Sequence, residues 1–338
     1  LAGTLDLDSA AMRMESSGTI DLGKSMFRNV QLRVKLRKVA ALFPGTDGRG
    51  FEIRTVLDGP FKTARFDYRI DAQRFAVGDT GFEDVHAAGK GRLSDPPVDV
   101  PMTLTARRVT GVGDVAGGIL RNLSLSGVLK VTGDAITGNG LRLKSDKLTG
   151  TMMLFVDLKT GRFQVTMTGG LHRYLIPGLG IVEVDTDLTA QPAPGGGIRL
   201  VGRGAARMLR LDNGFFRSLT QGLPRVTADL ERGPDMVLHM SNLVLTSPAL
   251  TLRGKGYRRR DGTFHIEAVG NQASYGPLTM VLDGKIDHPT LDLRFAHPNA
   301  AMGLKDVVTH LDPTDQGFAF TGDGRSRLGP FTIGGDIL

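Results

Sequence analysis

Val30-Gln31-Leu32-Arg33-Val34-Lys35-Leu36-Arg37 decides the fold, because four aliphatic side chains alternate there with four polar ones. Successive side chains of a strand point to opposite faces, so this segment has one apolar face and one charged face. The same parity returns in Phe163, Val165 and Met167, in Leu278, Met280, Leu282 and Ile286, and in Leu291, Leu293 and Phe295. Half-buried antiparallel strands are the natural outcome of such alternation. Turn signals separate the runs at Asp47-Gly48, Gly78-Asp79, Gly133-Asp134, Gly138-Asn139-Gly140, Asp261-Gly262 and Asp283-Gly284. Glycine, Asn and Asp tolerate the positive φ of tight hairpins. The predicted fold class is therefore all-β: a long curled antiparallel sheet, a repeating β-groove, with a few short helices.

Weak internal repetition agrees with an architecture built by stacking. Gly59-Pro60-Phe61, Gly276-Pro277-Leu278 and Gly329-Pro330-Phe331 are each expected to open a strand, and Leu123-Ser124-Leu125-Ser126-Gly127 echoes Leu250-Thr251-Leu252-Arg253-Gly254. Helices are expected from about Ala300 to Leu311, capped by Asn299 and stopped by Pro313, and after Asp212, carrying Phe215, Phe216, Leu219 and Leu223 before Pro224. Shorter candidates are Val39 to Phe43 and Val112 to Leu120. These helices are expected to plug the end or side of a sheet layer. Residues 191–197, with Pro192, Pro194 and three glycines, read as a long hairpin turn rather than a domain boundary. Residues 1–338 are thus read as one continuous elongated segment. The chain opens on Leu1 without a Met and stops within a strand-like pattern at Asp336-Ile337-Leu338, which reads as a piece of a longer protein.

Composition narrows the function. The 338 residues include no Cys and no Trp, 4 Tyr and 46 Gly. Absence of Cys excludes disulfides, thiolate metal sites and Cys nucleophiles. Few rings and many glycines suit narrow layers or an unfilled trough better than a thick core. The net charge of +7 fits solubility or contact with anionic lipid headgroups. Nucleic-acid binding would interleave basic residues with stacking aromatics, which are lacking.

Patterns that resemble enzyme motifs fail in context. Gly18, Gly23, Lys24 and Ser25 match a phosphate-binding loop, but strand-like sequence follows where a helix is required. Gly111, Gly113 and Ala116 match a dinucleotide fingerprint without room for its helix and crossover. The histidines have no metal-site spacing. Asp6 with Asp8, and Asp185 with Asp187, read as solvated carboxylates on strand faces, and Arg258-Arg259-Arg260 reads as a charged hairpin tip or a headgroup contact. No catalytic residue, metal site or cofactor is expected.

Several phrases resemble the TamB/AsmA-like group of bacterial envelope proteins, YdbH-type relatives included. They are Arg121-Asn122-Leu123-Ser124-Leu125-Ser126-Gly127-Val128-Leu129, Leu141 to Gly150, Tyr174-Leu175-Ile176-Pro177-Gly178-Leu179-Gly180, Ser247 to Gly254, and Tyr275-Gly276-Pro277-Leu278-Thr279 with Asp283 to Ile286. Asp114 to Ala116 and Leu211 to Phe216 belong with them, and the likeness is best from Asn122 to Leu338. The resemblance implies a middle stretch of a periplasmic bridge, anchored in the inner membrane by a segment outside this chain. It also implies phospholipid movement between the two membranes, and partnership with an outer-membrane assembly barrel of the TamA type.

Physics supports that implication in one respect. About twenty strands at ~4.8 Å make a sheet roughly 100 Å long, whose apolar face must curl on itself or find a lipid-like filling. Expected groove-lining residues are Val30, Leu32, Val34, Leu36, Phe163, Val165, Met167, Leu278, Met280, Leu282, Leu291, Leu293 and Phe295, each of which would equally suit a filled core. The competing reading is a structural or adhesive β-solenoid segment of a surface protein. An outer-membrane barrel would carry aromatic girdles, and a β-helical carbohydrate enzyme would need a clustered acidic site.

Overall fold

Alternation becomes strand along almost the whole chain. A computed structural model describes residues 2–41, 46–77, 80–111, 119–286, 288–315 and 317–337. Among them are twenty-three strands, one α-helix and one 3-10 turn, so the protein is all-β. Contacts divide the chain into two compact units, Leu1–Gly169 and Gly170–Leu338.

The first unit holds β1 (Ala2–Asp8), β2 (Met12–Asp21), β3 (Met26–Leu36), β4 (Thr46–Arg49), β5 (Phe51–Pro60), β6 (Arg65–Val77), β7 (Thr80–Arg92), β8 (Val98–Thr110), β9 (Ile119–Val131), β10 (Ala135–Lys144), β11 (Leu148–Asp157) and the first half of β12 (Phe163–Ile176). From β1 to β11 the pairing is an antiparallel meander. β4 is the exception, since it pairs with the far half of β6 as a broken continuation of β5. Two buried clusters form on the apolar face. Val34, Leu36 and Val39 make one, and Ala72, Val85, Ala106, Val109 and Leu123 the other.

The second unit continues with β13 (Gly180–Pro192), β14 (Ile198–Leu211), α1 (Gly214–Thr220), β15 (Arg225–Arg232), β16 (Leu238–Thr246), β17 (Leu250–Arg258), β18 (Phe264–Gln272), β19 (Gly276–Lys285), β20 (His288–Phe295), β21 (Lys305–Pro313), β22 (Phe318–Ser326) and β23 (Gly329–Ile337). Each of these strands from β13 onward pairs antiparallel with the next. In a flat sheet β15 and β22 would lie about 34 Å apart at ~4.8 Å per step. Yet Phe215 of α1, just before β15, meets Phe318 of β22 with ring centroids 5.3 Å apart. This sheet is therefore curled around its apolar face. Bulges supply bending: the register shifts between Met240 and Leu243 and between Lys305 and Val308, where Asn242 and Asp306 take φ of 50° and 51°. An extra residue in one strand bends it and sharpens its twist, and Asn and Asp tolerate that left-handed backbone.

Several expectations need correction. No helix runs from Ala300 to Leu311. Asn299 caps only a turn, its Oδ1 accepting from Met302 N at 3.0 Å, and β21 follows. Val307, Thr309 and Leu311 also alternate, and as a strand they pair with Phe295, Leu293 and Leu291, leaving Val307 and Leu311 buried. The other helix forms, but Asn213 rather than Asp212 caps it, accepting from Phe216 N at 3.0 Å. It ends at Thr220, so Leu223 lies beyond it and is 48% exposed. Val39–Ala41 is a 3-10 turn, while residues 42 and 43 lie outside the described residues. So do Val112 to Gly118 of the short helix candidate, which takes in Gly113, Ala116 and the Asp114 to Ala116 phrase, together with Gly78-Asp79.

Asp47-Gly48, Gly138-Asn139-Gly140 and Asp283-Gly284 lie within strands, not turns, and the middle one is a bulge between Gly138 and Leu141. Gly59-Pro60 closes β5, whereas the other two Gly-Pro pairs open β19 and β23. Residues 193–197 form the β13–β14 turn, closed by Ala193 N to Gly197 O at 3.0 Å. The phosphate-loop lookalike is strand β2, a turn and strand β3.

Candidate functional site: the apolar inner face

Each unit separates its two faces by chemistry. The outer face carries cross-strand ion pairs. In the first unit Arg33 Nε and Arg54 Nε both donate to Glu52 Oε1 at 2.6 Å. These hydrogen bonds hold the Glu52 carboxyl down to about 2. Asp6 pairs with Arg13 at 3.1 Å and Asp8 with Arg37 at 2.5 Å, so the Asp6/Asp8 pair is salt-bridged across strands. In the second unit His265 Nδ1 lies 2.5 Å from Asp283 Oδ2, and His310 Nδ1 lies 2.6 Å from Asp292 Oδ1. Those carboxylates raise both histidines above their ordinary range. Arg207 and His172 share Glu183, and their hydrogen bonds lower its carboxyl.

The inner face is aliphatic and differs along the chain. In the second unit it is a packed core. Leu250, Leu252, Ile266, Ala268, Leu278, Leu282, Leu291, Leu293, Leu311 and Phe318 are buried together with Leu219 of α1. Phe215 and Phe216 pack against the same cluster, and Gln272 Nε2 donates to Leu219 O at 3.4 Å, fixing the helix over it. Of the expected groove residues, Leu278, Leu282, Leu291 and Leu293 are thus core, 1–6% exposed, with Met280 and Phe295 packed alongside. Val34 and Leu36 are core in the first unit, with Leu32 packed against them and Val30 half-buried.

Across β8 to β12 the inner face is different. Val100 and Met102, Leu125 and Leu129, Ile136, Met152 and Leu154 follow one parity and are all half-buried. Gly150 and Gly169 face each other so closely that a Cβ on Gly169 would stand 2.6 Å from Gly150 Cα. That places Met167, Val165 and Phe163, also half-buried, on the same face. This strip belongs to none of the buried clusters of the described residues.

A second open apolar surface lies at the ends of β19 to β23. Tyr275, Phe295, Met302, Leu304, Val307, Phe331 and Ile333 line a cleft of about 640 Å³, within the usual range of ligand pockets, about 300–1,000 Å³. Tyr275 meets Phe295 edge-on at 5.6 Å, while Met302 is 61% and Ile333 44% exposed. Apart from Phe295 none of these residues was among the expected groove-lining residues. Met302 sits in the stretch read as helix, and Tyr275 beside a turn; the Gly-Pro pairs opening β19 and β23 were the nearest signal.

Among the described residues no group of three or more His, Asp or Glu is placed to hold a metal, and no helix is long and apolar enough to cross a membrane. Comparison with protein-family models, with curated proteins and with solved structures finds no match.

Proposed function

We propose that this chain is a non-enzymatic lipid-handling segment, which shelters acyl chains along its apolar inner face. The half-buried aliphatic strip across β8 to β12 carries the reading. Sheltering there gains about 0.8 kcal/mol per buried methylene, so a long chain is held without specific contacts and can slide. The ion-paired outer face suits water, and the cleft beside Tyr275 and Phe295 offers a further apolar seat. With the TamB/AsmA-like resemblance, the whole protein would be a periplasmic bridge. It would carry phospholipid between inner and outer membranes, held by an inner-membrane anchor and working with an assembly barrel of the TamA type.

A structural β-segment is the competing reading, favoured by the filled core around Leu252 and Leu291. Step-by-step antiparallel pairing differs from the parallel coils of β-helix repeats. Mass spectrometry of lipids retained by the detergent-free chain decides between them. Phospholipid on the parent, lost from a folded Leu129→Asp/Val165→Asp variant, is the expected result; a well-folded parent without lipid leaves the structural reading.

A further inference from the structure

Antiparallel pairing sends β14, β16, β18, β20 and β22 toward one end of the second unit, and β15, β17, β19, β21 and β23 return from it. Helix α1 lies at this end, and the turn after β12 joins it, Asp212 N donating to Leu179 O at 2.8 Å. Large apolar side chains stand at the tips. Leu175 at the end of β12, Leu223 after α1, Tyr275 before β19, Met302 before β21 and Leu328 before β23 are 45–100% exposed. At the opposite end the turns at 193–197, 233–237 and 259–263 hold no exposed large hydrophobic side chain, and Ile198, which opens β14 there, is 39% exposed. Three tips are braced from within. Met302 N donates to Asn299 Oδ1 at 3.0 Å, Tyr275 N to Gln272 Oε1 at 2.8 Å, and Leu328 N to Ser326 Oγ at 3.1 Å. Each amide is satisfied inside its own turn, which lowers the cost of carrying that backbone out of water.

Charge at this end has one sign. The tip segments 173–179, 212–225, 273–275, 296–305 and 325–329 carry Arg173, Arg217, Arg225, Lys305, Arg325 and Arg327 against the carboxylate of Asp212. Asp212 is itself paired with Arg210 at 2.8 Å, and Asp306, beside Lys305, with Arg294 at 3.3 Å. Single apolar side chains on separate turns do not make the continuous packed patch of a protein interface. A fluid bilayer accepts each of them separately, and anionic headgroups match the excess of cations. The cleft described above opens among the same tips, since Tyr275 and Met302 line it. We propose that this end of the second unit docks on an anionic phospholipid bilayer, with Leu175, Leu223, Tyr275, Met302 and Leu328 entering the interface and the cleft turned toward the acyl layer. The assignment goes beyond the sheltering of acyl chains, because it names a surface that meets an intact membrane.

The test uses the full chain. It has no Trp, so L328W and I198W each place a single reporter, one at the docking end and one at the opposite end. Both are mixed with vesicles of equal parts phosphatidylcholine and phosphatidylglycerol. L328W emission is expected to shift to the blue and to be quenched by brominated acyl chains, while I198W emission stays as it is in buffer. Cosedimentation with the same vesicles should be at least about tenfold weaker for M302S/L328S, which removes two apolar anchors. Both side chains are exposed, so circular dichroism should be unchanged. Equal shifts of the two reporters, or full binding by the double variant, mean adsorption through net charge and overturn the docking. A blue shift of L328W that grows with protein concentration in the absence of vesicles assigns the tips to a second copy and overturns it as well. So does a failure to sediment with the vesicles. Lipid retained by the detergent-free chain is measured on the same preparation, so the acyl-sheltering reading stands or falls separately.

Discussion

Leu123-Ser124-Leu125-Ser126-Gly127 in β9 and Leu250-Thr251-Leu252-Arg253-Gly254 in β17 are nearly the same phrase, yet they meet different surroundings. Both turn their leucines to the inner face. In β17 Leu250 and Leu252 are 2% and 1% exposed, under a lid formed by α1 and Phe318. In β9 only Leu123 joins a buried cluster, while Leu125 and then Leu129 stay half-buried. The difference teaches that alternation specifies which face is apolar but not what covers it. Cover comes from elements remote in sequence, such as Phe215, Phe216 and Leu219 on a helix of seven residues.

Substitutions can break that comparison. Leu252→Ala or Leu291→Ala should each cost about 2–5 kcal/mol in urea unfolding, because a sealed core relaxes little around a cavity. Leu125→Ala and Leu129→Ala should cost about 1 kcal/mol, the middle of the range for point mutants. Equal losses in the two units would erase the distinction between core and trough. Asp at Leu282 or Leu293 should unfold the second unit through an unpaired buried charge, whereas Val165→Asp should leave the circular dichroism spectrum unchanged.

Loosening the lid sharpens the comparison at smaller scale. Asn213→Ala removes the cap of α1 and should cost about 1 kcal/mol. The same variant should make Leu252 and Leu291 amides exchange faster while leaving β9 unaffected, which hydrogen exchange would read directly.

pH gives the smallest effect. His265 and His310 are raised by their carboxylate partners, so the folded state binds a proton more tightly than the unfolded one. Their contribution is complete below the ordinary value of 6.5 and fades as pH rises through their folded values. Glu52 has the opposite sign, since its contribution is complete above 4.5 and is lost as pH falls toward about 2. Urea midpoints measured from pH 5 to 9 should therefore decline modestly on the alkaline side, and His265→Asn/His310→Asn should flatten that limb. Both histidines are partly exposed, so solvent screening keeps the slope shallow.

Much of this was legible beforehand. The strands at Val30 to Leu36, Phe163 to Met167, Leu278 to Leu282 and Leu291 to Phe295 all form, with the parity that the sequence states. Less legible was Ala300 to Leu311, where spacings of three and four coexist with an alternating Val307, Thr309 and Leu311. Neighbouring β20 settles that ambiguity by pairing with it. Gly138-Asn139-Gly140 is also equivocal, because a hairpin turn and a bulge draw on the same positive-φ chemistry. The candidate site was legible only as a face. Its expected residues divide between core (Leu278, Leu282, Leu291, Leu293) and half-buried strip (Phe163, Val165, Met167), and the open cleft around Met302 and Phe331 was not foreseen.

What the sequence determined by itself is local and periodic: strand after strand, with one apolar and one ionic face. Those features depend on neighbours one or two residues away, and side-chain chemistry reports them directly. Tertiary structure alone decided the curl of the strands in the second unit, the seating of α1 against Gln272 and Phe318, and the alignment of Arg232, Leu238 and Arg258 in one row. Each depends on bulges and register accumulated over many strands, and a shift of one residue would turn every such side chain to the opposite face.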